Sequence, residues 1–324
     1  MKYLTAIASL TLSLLAAAPV AANETYPSRP ITWVVPFGAG GVTDSTARIM
    51  AKAMSQITGQ PVLVDNRPGA AGIVGTEYVA AAKPDGYTIL YASSGPMAVN
   101  PTLYKGKLTY DPLKSFVAVQ ALSQSNMLIV VNPSAPFKTL PELIEYAKKN
   151  PEKINYGSPG QGTAQHLSAE LLQTEAGIKM THVPYKTGAT QMGDLMSGVL
   201  DLSIEYPTVV RPYIEAGKMR AIGMTGTKRF KAFPEIPSVA ELGYPGAQNA
   251  GWSSIAVPAG TPPEVVEKLS QVVKQALKDP AVAQYYDLND NTVLELGPDT
   301  LPAYVAKEIE RFKGVVERSG AKAD

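Results

Sequence analysis

Short runs of β-branched and aromatic residues alternate with amphipathic stretches along most of this chain. Ile31-Thr32-Trp33-Val34-Val35 is one such run, stopping at Pro36 and a glycine loop. Ala47, Ile49, Met50, Ala53, Met54 and Ile57 then recur at helical spacing, closed by Gly59 and Pro61. Val62-Leu63-Val64 reads as the next strand, 73–82 as a helix and 87–91 as a strand. The alternation resumes over 140–149, 154–156, 163–176, 180–183, 191–199 and 202–204. Helices of this length between strands predict parallel sheets covered on both faces. The fold class is α/β.

Two less regular stretches, 100–136 and 233–249, interrupt the alternation. The first contains the polar run Gln120-Ala121-Leu122-Ser123-Gln124 and a strand over 127–131. The second, rich in Pro and Gly, leads into a β-rich run over 252–257. Read as crossings, they divide the chain into one lobe of 23–123 plus 255–324 and a second lobe of 124–254. Two crossings make a hinge, and a cleft between hinged lobes is where domain closure traps small ligands. Long helices over 263–278 and 301–317 are expected to return onto the first lobe.

The first residues add a compartment. Lys2 precedes an unbroken run of apolar and small hydroxyl residues from Leu4 to Ala18, Pro19 breaks it, and Val20-Ala21-Ala22 ends in small residues. This is the layout of a secretory signal peptide over 1–22, cleaved after Ala22, and it implies a periplasmic destination. The run is shorter than the ~20 apolar residues that span a bilayer. Removing it takes Lys2 from the 29 basic residues and leaves 28 against 28 acidic ones. A neutral chain carries no electrostatic footprint for nucleic acid. With no Cys and only His166 and His182, thiol chemistry and a multi-histidine metal centre lack parts, so neither metal nor cofactor is expected. A monomer is the default expectation.

Two strand–loop–helix units look alike. The first runs Val35-Pro36-Phe37-Gly38-Ala39-Gly40-Gly41-Val42-Thr43-Asp44 and opens a helix from Ser45. The second runs Tyr156-Gly157-Ser158-Pro159-Gly160-Gln161-Gly162-Thr163-Ala164 and opens the helix carrying His166. Glycines let the backbone approach a ligand, and the following helix presents unpaired N–H groups with a partial positive charge. That is an anion site built without a cationic side chain. One helix terminus supplies ~0.3–1 kcal/mol toward an exposed anion, rising to ~2 when partly buried. Charged hydrogen bonds add roughly 1.5–3 kcal/mol each, so two loops together reach the ~8 kcal/mol of a micromolar complex. The alternative is that the glycines only make tight turns, with Thr43, Asp44 and Thr163 as helix caps. Gly38-Ala39-Gly40 begins like a dinucleotide fingerprint, but Thr43 stands where its third glycine belongs.

Several segments together resemble the Bug-type receptors of tripartite tricarboxylate transporters. They are Tyr26-Pro27-Ser28-Arg29-Pro30-Ile31, Pro36 to Gly41 with Asp44, Asp65-Asn66-Arg67-Pro68-Gly69-Ala70, Pro84-Asp85-Gly86-Tyr87-Thr88 and Asn100-Pro101-Thr102-Leu103-Tyr104. His182-Val183-Pro184-Tyr185-Lys186, Ala216-Gly217-Lys218 and Val257-Pro258-Ala259-Gly260-Thr261-Pro262 extend the match along nearly the whole chain. The resemblance implies a type II periplasmic-binding fold, two α/β lobes with a hinged cleft. It also implies that a small organic carboxylate (di- or tricarboxylate, aromatic acid or amino acid) is gripped between Phe37–Asp44 and Ser158–His166. The partners implied are the membrane permease subunits of such a transporter, or a sensor kinase.

One segment departs from the family pattern. Where the family commonly has Asp-Asn before Leu-Pro-Ser, this chain has Glu205-Tyr206-Pro207-Thr208. The segment follows a second-lobe strand, so Glu205 and Tyr206 are expected to face the cleft, with Glu205 taking a donor group of the ligand or serving as a surface acid or helix cap. Ser94, after a first-lobe strand, is a further expected contact. His166 sits where it either meets the ligand or braces its loop, and His182 reads as structural. An enzyme is not expected. A secreted serine hydrolase needs a histidine base and usually Gly-x-Ser-x-Gly, and Gly157-Ser158-Pro159-Gly160 lacks that spacing.

Overall fold

A computed structural model describes residues 26–319 and 321. The leader expected over 1–22 lies outside the described residues. The first wind is β1 (Ile31–Val35), α1 (Val42–Thr58), β2 (Val62–Asn66), α2 (Ile73–Ala80) and β3 (Thr88–Ser93). β1 pairs in parallel with both β2 and β3. A π-helical turn, Gly95–Val99, runs into α3 (Asn100–Leu103), and β4 (Phe116–Ser125) follows. The chain then crosses into β5 (Leu128–Val131), α4 (Leu140–Lys149), β6 (Asn155–Ser158) and α5 (Ala164–Ala176). The second wind continues through β7 (Thr181–Pro184), α6 (Gly188–Ser197), β8 (Leu202–Glu205), α7 (Pro207–Glu215) and β9 (Arg220–Met224). It returns as β10 (Gly251–Pro258), α8 (Pro263–Leu277), α9 (Pro280–Leu288), β11 (Thr292–Val293) and α10 (Leu301–Ser319).

The two sheets repeat one plan. Their orders are β2-β1-β3-β10-β4-β11 and β7-β6-β8-β5-β9. In the first, β10 lies antiparallel between β3 and β4. In the second, β5 lies antiparallel between β8 and β9. Each sheet is thus completed by the strand that has just arrived from the other half. The chain passes from the first sheet to the second between Ser125 and Leu128, and returns between Met224 and Gly251.

Each lobe has its own apolar core. Trp33 is wholly buried and stacks on Tyr91 at 5.9 Å in the first, while Met127, Ile129 and Phe137 fill the second. Burying each such side chain stabilises by roughly 1.5–3 kcal/mol. Two features differ from the sequence reading. The stretch 100–136, read as irregular, holds β4, a ten-residue strand. Its polar residues hid it, and they are accommodated inside: buried Gln120 takes the Ser270 hydroxyl at 3.1 Å. The final helix, expected on the first lobe, bridges both. Phe312 and Val315 of α10 share one cluster with Leu167 and Leu171 of α5 and with Trp252 of β10.

Candidate functional site

A cavity of about 670 Å³ lies between the lobes, at the carboxyl ends of the parallel strands. In open α/β sheets that is where successive helices begin. Here the residues capping five helices line it: Gly41 for α1, Gly72 for α2, Thr163 for α5, Thr187 for α6 and Tyr206 for α7. Thr163 and Thr187 turn their hydroxyls onto their own helices, accepting from the N–H of His166 and Thr190 at 3.3 Å. α1 has no side-chain cap, so the N–H groups of its first turn, Val42 to Asp44, have no partner within the helix. Lys186, exposed at the rim, is the one cationic side chain in the lining among the described residues. The cavity therefore offers an anion backbone dipoles rather than buried positive side chains.

The lobes meet across this cavity through paired loops. A Cβ built on Gly38 would stand 2.5 Å from the Lys186 carbonyl oxygen, and one on Gly188 would stand 3.2 Å from that of Gly40. The loop after β1 thus abuts the loop after β7. Reciprocally, a Cβ on Gly160 would lie 3.5 Å from Ala71, so the loop after β6 abuts the loop after β2. The second of these partner loops is strained: Gly69, Ala70, Ala71 and Gly72 have φ of 146°, 44°, 53° and 85°. Two alanines in the left-handed region cost roughly 1–2 kcal/mol each.

Within the first loop, Phe37, Gly38, Gly41 and Thr43 line the cavity, whereas Ala39 and Gly40 are exposed and Asp44 lies behind. The helix starts at Val42, so Thr43 and Asp44 belong to its first turn. Asp44 Oδ2 accepts the Gly40 N–H at 3.1 Å, and its other oxygen pairs with Arg48 at 2.8 Å. Burial works to raise its pKa, but the Arg48 and Asn66 side chains and the Gly40 N–H outweigh that and hold it below the usual carboxylate range. The Asn66 amide also donates to the Phe37 carbonyl at 3.0 Å. The polar turn after β2 thus ties this loop down.

Within the second loop, Gly160, Thr163 and Ala164 line the cavity, while Ser158, Gly162 and His166 are buried behind it. The Gly162 N–H donates to His166 Nδ1 at 3.2 Å, and the Gly160 N–H to Ser158 Oγ at 3.1 Å. Both N–H groups are spent on the loop itself. Burial, and then neighbouring His182, push the His166 pKa down to about 3. A neutral ring is what accepting a backbone N–H requires. Ser158 Oγ lies 2.6 Å from His182 Nε2, a serine–histidine contact. The serine is fully buried, is absent from the cavity wall and bonds both the N–H and the C=O of Gly160, which makes it a turn brace.

Ser94 after β3, Glu205 at the end of β8 and Tyr206 just beyond it complete the expected set, all three buried and all in the wall. Glu205 Oε1 accepts the Gln165 amide at 3.1 Å and the Tyr206 N–H at 2.9 Å. Burial pushes its carboxyl up to about 7. Sequence reasoning missed the two partner loops, 68–72 and 185–188, as cavity walls. Their signal was present: each follows a strand, contains glycine and opens a helix, as the two chosen loops do.

Comparison with known proteins agrees with this geometry. Residues 46–321 match the profile of the Tripartite tricarboxylate transporter family receptor, TctC. Protein BugT of Bordetella pertussis is 36% identical over 307 residues, 94% of each chain. The solved structure of the periplasmic binding protein BugD superposes with a TM-score of 0.88 at 35% identity, over 92% of this chain and all of that one. An R. palustris protein solved with adipate gives 0.87 at 34% identity over 92% and 99%. MatC from Rhodopseudomonas palustris with bound malate gives 0.85 at 31%, over 90% and 100%. The chain has the two-lobed periplasmic-binding fold and belongs to the Bug-type receptors of tripartite tricarboxylate transporters, a family of solute-binding proteins and not of enzymes.

Proposed function

We propose that this receptor captures a small organic carboxylate in the cavity between its lobes and delivers it, in the periplasm, to the membrane subunits of a tripartite tricarboxylate-type transporter. The observation that carries the reading is the convergence of helix N-termini from both lobes on a cavity where, among the described residues, the one cationic side chain, Lys186, sits at the rim. The first-turn N–H groups of α1 and those of Ala164 and Gln165 at the start of α5 are the donors that would hold the carboxylate. Gly38, Gly41, Thr43, Gly160 and Thr163 shape the walls around it, with Ser94 at the side. Asp44, Ser158, Gly162 and His166 hold the two loops in place from behind. The relatives solved with adipate and malate support the ligand chemistry. The resemblance of the first residues to a signal peptide supports the compartment.

The test is a thermal-shift screen of the refolded protein without its leader, against mono-, di- and tricarboxylates, aromatic acids and amino acids, followed by calorimetry. A ligand at ~100 times its dissociation constant adds ~2.7 kcal/mol to the folded state. One or more carboxylates raising the melting temperature supports the reading. A well-folded sample that none of them shifts overturns it.

A further inference from the structure

Glu205 is the anomaly in the cavity wall. A receptor that draws anions with helix N-termini has placed a carboxylate, 3% exposed, in the same cavity. Both of its hydrogen bonds go to one oxygen: the Gln165 amide and the Tyr206 N–H meet Oε1. Among the described residues Oε2 accepts no hydrogen bond, and no Lys, Arg or His stands within ion-pair distance of the group. A buried carboxylate without a countercharge is costly unless a partner arrives. Burial accordingly raises its pKa to about 7.

The two hydrogen bonds alone do not call for a carboxylate. A glutamine would serve the Gln165 amide and the Tyr206 N–H through its carbonyl oxygen and carry no charge. Position adds to the point. Gln165 is the second residue of α5, so its bond draws Glu205 toward the helix start that supplies the second lobe's donors. A second ligand carboxylate entering beside Glu205 would meet like charge. Aromatic side chains, Phe37, Tyr91, Tyr104, Tyr185 and Trp252 among them, also line the wall. Such a wall favours an apolar body over further charge.

We propose that Glu205 selects a zwitterionic solute, one carboxylate held by the helix N-termini and one ammonium group accepted by Glu205 Oε2. This rests on the reading of the cavity as a carboxylate site and narrows the ligand within it. Diacids are then poor ligands here, although relatives have been solved with adipate and malate. Glu205→Gln converts the preference.

The experiment is calorimetry on refolded wild type and Glu205→Gln with matched pairs in which the ammonium is either exchanged for a second carboxylate or removed. The pairs are 4-aminobutanoate against succinate, 6-aminohexanoate against adipate, and α-amino acids against their deaminated analogues. At pH 8 the amino member of at least one pair is expected to bind wild type about tenfold or more tightly than its partner, as befits one charged hydrogen bond. The variant should lose that factor while keeping or improving affinity for the acid. A pH series on wild type alone covers the case of a misfolded variant. An alkyl ammonium, like that of lysine, stays charged below ~pH 9, so affinity for the amino member should fall as pH drops from 8 to 5.5 and Glu205 takes up a proton. Its hydrogen-bond partners do not titrate in that window: Gln165 of α5 is neutral, and the hydroxyls of Tyr206 and of neighbouring Tyr91 are raised by burial. Acids binding as tightly as their amino partners, with Glu205→Gln and pH both without effect on the ratio, would overturn the assignment and leave the carboxylate reading standing. No binding in either series would overturn both.

Discussion

At the scale of single residues, two buried ionisable groups pull stability in opposite directions with pH. His166 is held down to about 3 by burial and by His182, against an ordinary 6.5. Its depressed value means that the unfolded chain takes the proton first, so the stability tied to it is present above 6.5 and is lost as pH falls toward 3. Glu205 is raised by burial to about 7, against an ordinary 4.5. Its stability is fully present below 4.5 and is lost as pH rises through 7. Between pH 4.5 and 6.5 the two slopes oppose each other, and the wild type should show a shallow dependence. Glu205→Gln removes one slope. Urea midpoints of that variant should fall steadily as pH drops through this window, more steeply than those of the wild type. Parallel curves for the two proteins would mean that Glu205 does not titrate there. None of this was readable from residue type: the same His166 could have pointed at the ligand, and only the Gly162 N–H bond shows that it braces the loop.

At the scale of elements, the site is two pairs of facing loops, and the sequence displayed half of each pair. Gly38-Ala39-Gly40-Gly41 and Gly160-Gln161-Gly162 stood out because their glycines are dense. The loops they touch, 68–72 and 185–188, space their glycines more thinly and were recognisable only by their place after a strand. The alternation of strands and helices was legible because each wind follows the local 2-versus-3.6 periodicity. β4 escaped because its interior position is set by distant pairing with β10 and β11 and not by its own composition. The face-to-face arrangement makes Gly38 a sharp probe. Its Cβ would collide with the Lys186 carbonyl, a contact that exists only while the lobes touch. Gly38→Ala should therefore weaken ligand binding by the ~1–3 kcal/mol of an overpacked contact, roughly 5- to 150-fold, and leave the ligand-free melting temperature nearly unchanged. Gly40→Ala is the contrasting case, because nothing stands within 3.4 Å of its Cβ but its φ is +83°. It should lower the melting temperature by backbone strain of about 1–2 kcal/mol and affect closure less. Equal effects of both substitutions on affinity would argue against loop contact as the closing step.

At the scale of the whole molecule, α10 constrains how the lobes can move. It packs on the Gly95–Val99 turn of the first lobe and on α5 of the second, and Arg311 reaches Asn249 in the second crossing at 3.5 Å. Phe312, wholly buried, lies in one cluster with side chains of both lobes. Close-packed side chains of this kind do not slide continuously, so the α5–α10 side should act as the pivot. The separation should then open between the loops after β1 and β7, where contact is mostly backbone against backbone and Val42 lays one apolar side chain on the second lobe's core. The chain contains no cysteine, so a pair introduced for spin labels reports without background. Lys52→Cys with Ser197→Cys places labels on exposed positions of α1 and α6, on opposite lobes. Thr174→Cys with Glu310→Cys places them across the α5–α10 contact. Adding a saturating ligand should shorten the first distance and leave the second where it was. If both distances shift together, α10 slides on α5 and the pivot lies in the crossings alone. If neither shifts, the lobes remain closed without ligand, and solute must enter by local opening of the Gly38 and Lys186 loops.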